Sequence, residues 1–277
     1  SVPSSVGVKT VLTNLGKQLT KGISGTIKYS PIYRPHDRIN WTLSANFKHQ
    51  TAEYRNIGNS LDQFNQENRN KNLVRYYDGG SPTSLWAVRS LGINPTDGRE
   101  VFLTKDGKYT FEYDVEDEVI VGNSEPKLEG VLGSTLYWKG FSFSLYFRYS
   151  LGADVFTEAT YNKVENISLA GLKSNQDKRA LHDRWQKPGD HAKFKGISLT
   201  ETTPISSRFV LRENYIKAES ISVGYDFESQ AVQKLGIQSL RLQANTTDLF
   251  RISSIKEERG IEYPFARSFS FSLSAMF

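Results

Sequence analysis

The ten residues SFSFSLSAMF at the end of the chain alternate without a break. Phe269, Phe271, Leu273, Ala275 and Phe277 take one parity, and Ser268, Ser270, Ser272 and Ser274 the other. Successive side chains of a strand point to opposite faces, so this pattern predicts a strand with one apolar face and one face of small hydroxyls. The pattern recurs upstream. Ile23, Gly25, Ile27, Tyr29 and Tyr33 oppose Ser24, Thr26, Lys28 and Ser30, and Ile39, Trp41, Leu43, Ala45 and Phe47 oppose Asn40, Thr42, Ser44, Asn46 and Lys48. Leu128, Leu132, Leu136 and Trp138 share a face, and the run Phe141, Phe143, Leu145, Phe147, Tyr149 is the strongest period-2 segment of the chain. Ile221, Val223, Tyr225 and Phe227, then Leu240, Leu242 and Ala244, continue it. Seven strands are thus predicted near residues 18–33, 38–52, 127–138, 141–151, 213–227, 238–250 and 266–277, with residues 1 to 17 as a loop.

The connections separate two readings of these strands. After the first strand they run short, very long, short, very long, medium, medium. The two longest, residues 53–126 and 152–212, far exceed the loops of compact soluble domains. Strands of roughly 11 to 15 residues suffice for a tilted membrane crossing, and short turns at one end with long loops at the other is the asymmetry of outer-membrane barrels. The fold expected is all-β: antiparallel transmembrane barrel strands with long outer loops. Arg34 to Asp37, Lys139-Gly140 and Glu228 to Gln238 would then lie on the periplasmic side. Tyr33, Trp41, Trp138 and Phe141 near that side are the candidate aromatic girdle at the lipid interface. The alternative is a soluble or surface-attached all-β ligand-binding module whose apolar faces meet in a dry interior. Within the first long loop, Val101 to Thr104 and Lys108 to Phe111 flank Lys105-Asp106-Gly107 as a hairpin, and Asn94 to Gly98 reads as a turn.

Composition changes this picture little. The chain has 277 residues, 38% hydrophobic and 23% charged, which is not a disordered composition. No run approaches the 18 or so apolar residues of a spanning helix, so a membrane crossing must use strands. Zero cysteines exclude disulfides and thiolate metal sites. The net charge of +5 is scattered, without a basic run or a nucleic-acid-binding motif, so no nucleic-acid partner is expected. The first residues lack the basic and apolar regions of a signal peptide, so an exporting segment, if there is one, is expected upstream of Ser1.

Candidate chemistry is sparse. His36, His49, His182 and His191 do not have metal-ligand spacing, and no serine sits in G-x-S-x-G, so neither an enzyme nor a cofactor or metal site is expected. The acidic run Asp114 to Glu118 reads as a solvated tip, with calcium the minor alternative because no EF-type spacing is present. Ligand-binding candidates are outer-loop aromatics and arginine: Tyr76, Tyr77, Trp86, Arg184 and Trp185. Aromatic faces stack on sugar rings and arginine forks onto carboxylates. The competing and more common role is to pin long loops together or against a partner.

Three blocks, NYIKAESISVGY (214–225), NTTDLF (245–250) and YPFARSFSFSL (263–273), resemble the C-terminal part of SusC/RagA-type TonB-linked outer-membrane transporters. WAVRSLGINP (86–95) and DRWQKPGD (183–190) are similar to loop segments of that family. The resemblance implies a barrel of about 22 strands filled by a plug. It also implies import of glycans or peptides across a Gram-negative, Bacteroidetes-like outer membrane, with outer-membrane lipids around the wall, a SusD-type surface lipoprotein as partner and TonB as the drive. Phe269, Phe271, Leu273 and Phe277 resemble the signal read by barrel-insertion machinery. The plug and the TonB-contacting segment have no counterpart in residues 1–277, and seven strands, an odd number, cannot close an antiparallel barrel. The expectation is therefore the C-terminal portion of a larger importer.

Overall fold

The structure is a computed structural model and describes residues 14–198, 200–227, 236–256 and 267–277. Most of the expected loop over residues 1 to 17, much of the Glu228 to Gln238 connection and part of the loop from Phe250 to Pro264 lie outside the described residues. So does the start of the block 263–273. Twelve strands are described: β1 (Lys17–Arg34), β2 (Ile39–Arg55), β3 (Ser84–Ile93), β4 (Glu100–Leu103), β5 (Tyr109–Thr110), β6 (Glu118–Asn123), β7 (Leu128–Trp138), β8 (Phe141–Phe156), β9 (Val210–Phe227), β10 (Ser239–Thr247), β11 (Arg251–Ser253) and β12 (Phe269–Met276). They form an open antiparallel sheet in the order β1-β2-β7-β8-β9-β10-β12, with β11 on β9, and a smaller sheet in the order β5-β4-β3-β6.

The large sheet is a wall with its apolar side outermost. Residues paired across antiparallel strands share a face. The register Trp41↔Leu136↔Phe143↔Val223↔Ala244↔Phe271 therefore runs one apolar row across six strands. The parallel row Trp138↔Phe141↔Tyr225↔Leu242↔Leu273 lies nearer the short turns. These side chains are not covered: Trp138, Phe141, Phe143, Val223, Leu242, Phe271 and Leu273 are all exposed. The opposite face is polar and cross-linked, through Gln243 Nε2 to Ser222 Oγ (2.9 Å), Arg148 Nε to Glu219 (2.9 Å) and Lys48 Nζ to Glu129 (3.0 Å). Ser134, the one hydroxyl beside Trp41 on the apolar face, accepts the Trp41 indole N–H at 3.0 Å. An aromatic there keeps its polar handle satisfied without water.

Two local devices shape the wall. Lys139 and Gly140 both have positive φ (47° and 96°), the tight two-residue turn that matches strand twist, and it stacks Trp138 on Phe141 at 6.1 Å. In β1 the register shifts between Tyr29 and Ile32, a bulge at Ser30-Pro31. Proline has no N–H to give to the ladder and is tolerated at such a bulge. The bulge corrects the expectation for Tyr33: the extra residue puts Ile32 opposite Trp41 on the apolar face and turns Tyr33 to the polar face opposite Asn40. The apolar row of Trp138 and Phe141 contains Tyr225 in its place, 4.5 Å from Phe141. Higher on the wall, Tyr149 Oη donates to Asn46 O (2.9 Å) across Gly130, where a β-carbon would meet Asn46 O at 2.0 Å. Only glycine fits beneath that tyrosine.

The buried apolar clusters of the described residues lie in the long connections, with Ala153 and Ala218 the buried apolar side chains on wall strands. Leu73, Leu85 and Ala87 pack with Ile205, and Val164, Ala180, Phe194 and Phe209 form a second cluster beside it, with Phe156 and Tyr161 touching both. The two long loops thus fold on each other. Val88 and Ser206 form a parallel bridge, and Ser90 N donates to Ser207 Oγ at 2.9 Å. A short helix α1 (Asp62–Asn68) supports the first loop, where the Asn65 amide clasps the Tyr76 backbone through Nδ2 to O (2.7 Å) and N to Oδ1 (2.8 Å). The Lys105-Asp106-Gly107 hairpin joins β4 to β5, with Gly107 at φ +81°.

Candidate functional site

The loop assembly is held by buried charge as much as by apolar packing. Arg208 is the hub of one group: its Nη2 lies 3.0 Å from Glu100 Oε2 and 3.0 Å from Glu165 Oε1. Glu100 also accepts Ser206 Oγ (2.6 Å), and Glu165 accepts Thr203 Oγ1 (2.9 Å). Burial alone would lower the Arg208 pKa, but the two carboxylates outweigh it and the guanidinium sits above its ordinary value. Arg75 is the second hub, fully buried with Nε and Nη2 on Glu118 (2.9 and 2.8 Å) and Nη1 on Asn72 O and Val74 O. Burial pushes the Tyr113 phenol up, and its hydroxyl bonds Asn70 Oδ1 and Ile205 O. Such hubs join distant segments, because an unpartnered buried charge costs several kcal/mol.

This charge corrects the reading of the acidic run. Asp114 caps a turn by accepting from Glu116 N (2.9 Å), Asp117 accepts Lys105 N (2.9 Å), Glu116 pairs with Arg69, and Glu118 is 4% exposed on Arg75. Asp114 and Glu116 remain solvent-exposed, as expected of a tip, but the run also serves as a set of struts, and Glu118 is buried. Among the described residues no three His, Asp or Glu side chains gather as metal ligands.

The five ligand-binding candidates do not converge. Arg184 is 6% exposed and spends its guanidinium on Val164 O, Glu165 O (2.7 Å) and Lys195 O (3.0 Å). Burial holds it below the ordinary arginine value, and it cannot reach a ligand carboxylate from there. Trp185 donates its indole N–H to Pro95 O (2.9 Å), and its ring lies where a β-carbon on Gly98 would be, 2.5 Å away. Gly98, at φ +73°, therefore serves both the Asn94–Gly98 turn and the docking of this ring. Arg184 and Trp185 pin the second loop internally and to the first. Tyr77 packs on Trp86 at 5.1 Å, and Tyr76 lies between Tyr54 (5.5 Å) and Phe64 (5.6 Å). These half-buried rings are the remaining surfaces able to offer an edge or face to a ligand. Sequence reasoning did not single out Phe194, Phe209 or Leu211, which line a cavity with Lys193 and Lys256. They are drawn from well-separated segments without a common motif.

Comparison with known proteins fits this architecture. No family model matches the chain. It is 22% identical over 305 residues to "TonB-dependent receptor P39" of Formosa agariphila, covering 91% of this chain and 28% of that protein. To "TonB-dependent receptor P3" of the same organism it is 22% identical over 269 residues, covering 90% and 26%. Among solved structures it is similar to the RagAB peptide transporter, with a TM-score of 0.71 at 20% identity, covering 92% of this chain and 28% of that one. The 'open-open' state of the RagAB peptide importer gives 0.74 at 18% identity, covering 100% and 30%. The chain thus spans under a third of the length of the proteins it matches. Its sequence is similar to TonB-dependent receptors over about nine-tenths of its length, and its fold, an open antiparallel sheet carrying folded loops, is similar to part of the RagAB transporter structures.

Proposed function

We propose that this chain is the C-terminal wall and outer-loop portion of an outer-membrane importer that takes up glycans or peptides, is driven by TonB through a plug elsewhere in the protein, and works with a SusD-type surface lipoprotein. The observation that carries this reading is the exposed apolar face of the wall, which continues strand after strand from Ile27 on β1 to Phe271 on β12. A water-soluble module would have to cover those rings, whereas lipid is itself the cover they need. The opposite face, with its serines, glutamine and ion pairs, suits a watery lumen or a polar plug. The likeness to RagAB, whose name specifies peptide, favours peptides as cargo.

The test uses the full-length protein. It is expected in outer-membrane fractions, soluble only with detergent, and cells lacking it are expected to lose uptake of labelled oligopeptides or oligosaccharides. Recovery in the aqueous phase without detergent would sink the membrane reading in favour of a surface-attached binding module.

A further inference from the structure

A cavity of about 420 Å³ lies where the loop assembly meets the upper end of the wall. Its apolar lining is Phe194, Phe209, Leu211 and Ile255, and its ionic lining is Lys193, Lys256, Arg179, Arg208 and Asp183. The strand fixes which side it opens on. In β9, Leu211 shares parity with Glu213, Tyr215 and Lys217, and Lys217 pairs with Arg148 on the polar face of the wall. The cavity is therefore an apolar patch on the face that is otherwise polar, on the side assigned to the lumen. Leu211 is exposed within it, while Phe194 and Phe209 behind it are buried.

The charges around the cavity are unequal in availability. Arg179 is bonded to Asp177 at 2.6 Å, and Arg208 is paired with both buried carboxylates, Glu100 and Glu165. Lys193 and Lys256, both exposed, enter no ion pair among the described residues; the Lys256 charge also acts on the nearby Asp177 carboxyl, and the lining itself carries the single carboxylate of Asp183. We infer that this cavity is a substrate subsite that takes an apolar side chain flanked by a carboxylate, as in an acidic, leucine-rich peptide segment, with Leu211 and Ile255 holding the side chain and Lys193 and Lys256 the anion. The buried rings of Phe194 and Phe209 offer no free face for a pyranose to stack on, which sets this site apart from an aromatic sugar platform. The inference rests on the importer reading and narrows its cargo.

The experiment measures binding to the full-length protein in detergent by fluorescence anisotropy. The probes are two labelled, acetylated hexapeptides, one alternating leucine and aspartate and the other leucine and lysine. The wild type is expected to prefer the acidic peptide. Lys193→Glu combined with Lys256→Glu is expected to weaken it about tenfold and to strengthen the basic peptide, a reversal that misfolding cannot produce. Lys105→Glu on the remote β4–β5 turn is expected to change neither. Equal affinity for both peptides, no binding of either, or a double variant that keeps the wild-type preference would each overturn the subsite. Retained uptake of other cargo by cells would in those cases leave the importer reading standing, whereas loss of the importer reading is decided by the fractionation and uptake experiments alone.

Discussion

Phe271 in the wall is 77% exposed and Phe209 in the loop assembly is 1% exposed, though both are phenylalanines of one chain. The wall turns its rings to one face and its serines and ion pairs to the other, while the loop assembly buries rings such as Phe102, Phe194 and Phe209 together with Arg75 and Arg184. On the proposed importer reading, one chain folds against two solvents. In water, apolar surface is hidden within the protein; against lipid, the same surface is matched by what surrounds it, and stability comes from the closed ladder of backbone hydrogen bonds. The loop assembly needs specific side-chain joints because its segments are long and separated in sequence. The wall needs few, since neighbouring strands are tied along their length.

The sharpest way to break this contrast is Arg208→Ala. It strands Glu100 and Glu165 in a dry site and is expected to cost about 3–5 kcal/mol of loop-assembly stability. Limited proteolysis should cut residues 157–209 early while the wall stays resistant. Simultaneous loss of both regions would show that they are one cooperative unit. Next in size is Phe143→Arg in the middle of the apolar row. If the row faces lipid, refolding into bilayers should lose about 2–4 kcal/mol. If it faces water the change should be nearly silent, because the side chain is already uncovered. The smallest effect is local. Arg179, hydrogen-bonded to Asp177, holds that carboxyl at about 2, below its ordinary 3.8. A depressed carboxyl stabilises the fold above its unfolded pKa and ceases to do so as pH falls through its folded one. Hydrogen exchange around Arg179–His182 should thus be constant from neutrality to about pH 4 and accelerate toward pH 2. Asp177→Asn should abolish that dependence.

The same contrast explains what was legible in the sequence. Period-2 alternation is written residue by residue, so the predicted wall strands near 127–138 and 141–151 lie on β7 and β8, and the register follows from parity. Parity failed where a bulge intervened: Pro31 turned Tyr33 to the other face, and nothing in the alternation of Ile23 to Tyr29 announces that step. In the loop assembly, β3 buries Leu85, Ala87 and Val88 on both sides and so carries no alternation to read. Its pairing with β6 is fixed by long-range packing, and of that sheet only the two turns, Asn94–Gly98 between β3 and β4 and Lys105-Asp106-Gly107 between β4 and β5, had a local signature. Arg184 and Trp185 looked like ligand groups because arginine and tryptophan serve both recognition and internal bracing. Only the positions of Lys195 O, Val164 O and Pro95 O decide between the two.

The wall ends on β1 at one side and β12 at the other, and neither outer margin has a partner strand among the described residues. Each margin offers a row of backbone donors and acceptors to whatever polypeptide passes, and the apolar side beside it adds grease to the invitation. Polypeptide 14–277 handled apart from its neighbours in water should therefore grow edge upon edge into insoluble ribbons. Rescue work on it belongs in detergent micelles from the first step.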